Sequence, residues 1–88
     1  MNANQRKKRR QKIRELTMYL LEQNERGMSF QYLQTTVDNC VRYRVSRHSL
    51  AKVMKPELET GIIISELDRD RKTVWKLSSA YRTTMETV

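Results

Sequence analysis

Arg47, His48, Lys52 and Lys55 lie in a stretch, Ser46 to Lys55, whose apolar residues Leu50, Val53 and Met54 recur at helical spacing. Such a segment buries one stripe and leaves its cations and its imidazole facing water or a partner. Guanidinium and ammonium groups so placed suit electrostatic and hydrogen-bonding chemistry with polyanions. Arginine in particular carries a planar fork that meets two acceptors at once. Metal chemistry is poorly served, because the only soft companion for His48 is Cys40, and eight residues do not make a usable ligand pair alone. Catalysis has equally little to work with: one histidine, one cysteine, no glycine-rich phosphate loop, and no carboxylates with a reason to share a site. The expectation is a binding protein and not an enzyme. No cofactor, metal or small-molecule ligand is expected.

The net charge of +8 is unevenly spread. Residues 1–14 carry Arg6, Lys7, Lys8, Arg9, Arg10, Lys12 and Arg14 with no acid, whereas the other 11 basic residues meet 10 acidic ones. A block of like charge repels itself and commonly serves as an arm for polyanions. A solvated leader that only aids solubility and a nuclear-import signal are the competing readings. Residues 1–10 are expected to be a flexible basic arm, 11–78 a folded domain, and 79–88 a short helix or tail.

The 88 residues suffice for one small core, and 38% hydrophobic with 32% charged composition suits a folded domain. No apolar run approaches the roughly 20 residues of a membrane span, and the first residues lack the apolar middle of a secretory leader. The single cysteine excludes an internal disulfide. The expected location is the cytoplasm, or the nucleus in a eukaryote, with no membrane partner.

Upstream, Ile13, Leu16, Thr17, Leu20 and Leu21 draw one face of a first helix over about 10–26, with Gly27 stopping it and Arg26 suiting its last turn. Met28 leaves room for a token strand at most. Ser29 can cap a second helix along which Phe30, Leu33, Val37, Cys40 and Val41 point inward, ending near Arg42. Cys40 is expected to be a small buried hydrophobe. Residues 42–45 then give a four-residue connection with Val45 as an apolar plug, and the lack of a glycine predicts a loose turn. Ser46 caps the third helix. Pro56 should end or kink it near Lys55, leaving Pro56 to Glu59 as a final turn.

Gly61 ends the helical stretch, and two β-type runs follow, Ile62–Leu67 and Lys72–Leu77, around a charged tip, Asp68-Arg69-Asp70-Arg71. The tip cations Arg69, Arg71 and Lys72 are placed to contact phosphates or reach a minor groove, or else form a solvated turn balanced by Asp68 and Asp70. Thr73, Trp75 and Leu77 form the inward face, so Trp75 should pack against the helices. Ser78 and Ser79 can cap a short last helix with Tyr81 and Met85 on one side. Two turns alone are marginal in water, so this helix is expected to be either frayed or docked, a twin subunit being the obvious candidate, with Tyr19, Tyr32 and Tyr81 adding to a homodimer interface if exposed.

The order helix, helix, helix, strand, strand resembles the winged helix-turn-helix DNA-binding family over about residues 11–78. The resemblance is carried by Ser46, Ser49, Leu50, Lys52 and Met54, by Gly61-Ile62-Ile63, and by Arg71-Lys72-Thr73-Val74-Trp75-Lys76-Leu77-Ser78. It implies an α+β fold with a three-helix core, a two-stranded antiparallel hairpin wing and a short C-terminal helix. It also implies sequence-specific binding of double-stranded DNA by a transcriptional regulator. Arg47, His48 and Lys52 then match the base-reading surface, Ser46 and Ser49 match phosphate contacts, and Arg42 and Arg44 lie on the turn. Lys55 extends the helix surface, Arg69, Arg71 and Lys72 match the wing, and Arg6, Lys7, Lys8, Arg9 and Arg10 add the arm. A nonspecific architectural DNA- or RNA-binding protein and a protein-interaction winged helix are the alternatives.

Overall fold

Asn2 opens the first helix. Its side chain accepts from the Gln5 amide at 2.9 Å while the Gln5 side-chain oxygen accepts from the Asn2 amide at 3.3 Å, a reciprocal cap. The computed structural model describes residues 2–86, and side chains as far as Thr83. In chain order the elements are α1 (Ala3–Gln23), β1 (Met28–Ser29), α2 (Phe30–Cys40), α3 (Arg47–Val53), α4 (Lys55–Glu59), β2 (Ile63–Leu67), β3 (Thr73–Leu77) and α5 (Ser79–Glu86). The fold is α+β, with one antiparallel sheet ordered β1-β3-β2.

α1 therefore begins at Ala3 and not near residue 10. The basic block is its first two to three turns, entirely exposed, and Ile13 is the first buried residue. Beyond it Thr17 and Leu21 are buried, with Leu16 and Leu20 partly so, as the helical spacing predicts. The helix stops at Gln23, where the Asn24 side chain donates to the Leu20 carbonyl at 2.7 Å. Arg26 is consequently outside the last turn. Gly27 instead admits β1 beside β3: its φ is +94°, and a Cβ there would meet the Trp75 carbonyl oxygen at 2.8 Å.

The token strand is a full partner. Met28 pairs with Trp75 and Ser29 with Val74, which makes the sheet three-stranded where two strands were expected. Ser29 also caps α2 by accepting from the Tyr32 amide at 3.1 Å, so the sheet runs into α2 without slack. Leu33 and Val37 of α2 are buried. Cys40 is not. The helix ends there, and the extended Val41 turns its own side chain toward the core instead, leaving the thiol exposed.

The connection to α3 runs from 41 to 46, longer than four residues, and it is not loose. Asp38 Oδ1 accepts from the Val45 amide at 2.7 Å, and Gln34 Nε2 donates to the Val45 carbonyl at 2.7 Å. Val45 itself is buried in the core. Two α2 side chains one turn apart thus satisfy both backbone groups of the plug, which is what a buried loop peptide requires.

α3 is capped by Ser46 and buries Leu50 and Val53. It stops at Val53, and the buried Met54 marks the break before α4, whose first turn holds Pro56. Lys55 accordingly belongs to α4 and not to α3. β2 and β3 pair from Ile63–Leu77 to Leu67–Thr73. Trp75 and Leu77 are buried, and the Trp75 ring lies 4.7 Å from that of Phe30. α5 docks on its own chain: Tyr81 is half-buried, and Arg82 donates to the Leu21 carbonyl at 2.7 Å and the Glu22 carbonyl at 3.4 Å, closing the end of α1. The last helix therefore has contacts within its own chain through Tyr81 and Arg82. Met85, expected beside Tyr81, has its side chain outside the described residues.

Gly27 and Gly61 provide a matched test. Both have positive φ, but a Cβ at Gly61 would meet nothing within 4 Å. Gly61→Ala should cost about 1–2 kcal/mol from backbone strain alone. Gly27→Ala should cost about 1–3 kcal/mol more through overlap with β3. Urea unfolding of the two variants checks the order.

Candidate nucleic-acid interface

α3 stands as a ridge between two concavities. On one side, a groove of about 610 Å³ is lined by Arg47, by the first turn of α2 (Phe30, Gln31, Tyr32), and by Asp68, Asp70, Lys72 and Thr73 of the hairpin. On the other, a cleft of about 390 Å³ is lined by Ser49, Lys52 and Val53 of α3, Tyr43 and Arg44 of the connection, and Arg6, Arg9, Arg10 and Arg14 of α1. His48 is exposed on α3 and lines neither. Arg47, His48 and Lys52 all point away from the core that Leu50 and Val53 enter.

The two sides differ in charge. The hairpin groove is balanced, with Arg47 and Lys72 against Asp68 and Asp70. The α1 cleft has six cations and no carboxylate among its lining residues. One of those cations has a structural role. Arg14 donates to the Val53 carbonyl at 2.8 Å and pairs with Glu57 at 2.7 Å, tying α1 to the end of α3 and to α4. Arg9 is committed locally, its guanidinium 4.5 Å above the Tyr43 ring while its carbonyl accepts from the Tyr43 hydroxyl at 3.1 Å. Burial raises the Tyr43 phenol above its ordinary 10.0, against the opposing pull of Arg9, so the hydroxyl remains a donor at neutral pH. Arg6, Arg10, Arg44 and Lys52 make no ion pair among the described residues.

No family model, curated protein or solved structure matches the chain. The site therefore rests on its own geometry. Among the described residues no group of three or more metal-capable side chains comes together, and no helix is long and apolar enough to cross a membrane.

The remaining expected residues divide by what they already do. Ser46 Oγ accepts from the Ser49 amide at 3.1 Å and donates to Ser49 Oγ at 3.0 Å, so the two hydroxyls serve the cap and each other. Lys55 pairs with Glu59 at 3.7 Å on α4, both mostly exposed, a contact of little energetic weight. Arg42 is on the connection, and Lys7 and Lys8 lie on α1 outside the cleft. At the hairpin tip the Asp68 carboxylate accepts from the Asp70 and Lys72 amides at 2.8 and 2.9 Å, which spends it on the turn. Arg69 is exposed beside it.

Arg71 is the strained residue, with φ +61° at a position that suits glycine or asparagine. An arginine there forgoes about 1–2 kcal/mol. Two residues of the site, Tyr43 and Arg14, were not singled out by any pattern in the sequence: Tyr43 sits in a loop, and Arg14 looks like one more member of the basic block.

Arg71→Asn should keep or raise stability, by up to about 1 kcal/mol, because asparagine tolerates this backbone. It should also elute from a heparin column at lower salt than the parent. Thermal unfolding and the elution profile give the two readings.

Proposed function

We propose that the chain is a winged helix-turn-helix protein that binds double-stranded DNA with sequence preference, in the manner of a transcriptional regulator. α3 enters the major groove, and the β2–β3 hairpin is the wing beside it. One observation carries this reading: α3 is held rigidly at both ends while Arg47, His48 and Lys52 stay unburied on its outer side. Its seven residues span about 10 Å, short but sufficient to place two or three side chains on base edges. Arg47 is the best guanine reader, since its fork matches the O6/N7 pair. Lys52, Arg44 and the tip cations Arg69 and Arg71 supply phosphate contacts, which position the helix without specifying sequence.

If one protomer neutralises about six phosphates, log affinity falls with log salt at a slope near −5. A homodimer on a two-fold site remains part of the proposal; Tyr19 and Tyr32, 56% and 64% exposed, are the apolar surface available to it. A second reading, a winged helix that docks another protein, draws on the charge-balanced hairpin groove and its exposed Tyr32. The acid-free cleft on the other flank weighs toward nucleic acid.

Selection from a random duplex pool decides between these. The parent should enrich one motif, and Arg47→Ala and Lys52→Ala should each cost about 1–3 kcal/mol or flatten the salt slope according to whether they meet a base or a phosphate. Arg47→Ala should relax the motif at one position. A pool still random after several rounds would remove the regulator reading.

A further inference from the structure

The basic end of α1 is an energetic oddity. Its clustered cations repel one another, and Arg6 and Lys7, in and beside the first turn, lie where the helix dipole already disfavours positive charge. No acid lies in the first turn to offset this. The helix holds even so, through the Asn2–Gln5 cap and the double grip of Tyr43 on Arg9. An anion beside it would relieve both penalties at once.

The cations are also not distributed evenly round the rod. At about 100° per residue, Arg6, Arg9 and Arg10 share the face of Ile13 and Arg14 flanks it on the side of Arg10, whereas Lys12 flanks the opposite side and Lys8 falls on the back. That first face lines the cleft shared with Arg44 and Lys52. Ala3 to Lys12 extends about 15 Å beyond the first buried residue, the length of roughly four base pairs at 3.4 Å each.

We infer that the cleft between α1 and α3 seats a second stretch of duplex backbone, gripped by Arg6, Arg10, Arg44 and Lys52, so that α1 is a rigid arm reaching along the flanking DNA. The inference rests on the duplex reading above and names a surface on the flank opposite the wing. Tyr43 has the positioning role: it fixes the angle at which the rod leaves the core. Ile13, Val53 and Pro56 add apolar lining to the same cleft.

Two charge-matched variants separate this from a diffuse polybasic tail. Arg6→Gln/Arg10→Gln and Lys8→Gln/Lys12→Gln each remove two charges and use a good helix former. On the selected duplex with long flanks, the arginine pair should lose ten-fold or more in affinity, and its salt slope should become shallower by about 2. The lysine pair should stay within about three-fold. With the flanks trimmed to the motif, the two variants should converge. Gln11→Pro keeps every cation but breaks the rod, and should weaken binding as the arginine pair does. Equal losses from both pairs, or full affinity in Gln11→Pro, would overturn the inference while leaving motif preference in the parent, and so the duplex reading, intact. A parent with no motif preference would instead overturn the duplex reading and this inference with it.

Discussion

Everything about the exposed face of α3 depends on how Val45 is held. Its side chain fills the core, and its two peptide groups are satisfied by Asp38 and Gln34 of α2. A buried amide or carbonyl without such partners costs a large fraction of a small domain's stability. With them, the chain can dive inward at Val45 and emerge at Ser46 in position to start a helix. Leu50 and Val53 then have to face inward, and Arg47, His48 and Lys52 are left outward. The angle between α2 and α3 follows from side-chain chemistry in α2, with no glycine in the turn.

The second determinant is where charge is cancelled and where it is not. Arg14 with Glu57, Lys55 with Glu59, and Lys76 with Glu66 neutralise the flanks of the fold. Among the described residues the α1 cleft keeps five cations outside any ion pair, one of them, Arg9, stacked on Tyr43, whereas the hairpin groove carries its own aspartates. The more exposed pairs, Lys55–Glu59 and Lys76–Glu66, add little stability, whereas Arg14–Glu57 ties α1 to α4; all three mark which cations are already engaged. For the proposed duplex interface this shifts emphasis from the wing toward α1, and it turns an expected flexible tail into a shaped surface.

Much of this was readable in the letters. Helical spacing identified the buried faces of the first three helices, Ser46 as the cap, Pro56 as the break and Trp75 as an inward residue, because each depends on local periodicity or local backbone chemistry. The errors share a cause. Like-charge repulsion argued against helix before residue 10, yet the Asn2–Gln5 cap was in the sequence, and Tyr43 acts from 34 residues away. Cys40 fitted the apolar period, but the helix ends at that residue and Val41 takes its place. Asp38 lies off the apolar period of α2, and its part as a loop anchor depends on a residue seven positions on. β1 gave almost no signal, since two residues owe their strand to β3 and not to their own propensity. Contacts that span the chain decide such positions.

The most direct measurement of the proposed interface is a backbone NMR titration of the protein with its selected duplex. The resonances expected to move form one continuous surface, from Arg6 and Arg10 through Arg44 to Arg47, Ser49 and Lys52, with the hairpin tip at its edge. Tyr19, Thr60 and α5 should stay still. Shifts concentrated on α5 and the Thr60–Ile62 turn, with α3 silent, would contradict the assignment of α3 as the reading element.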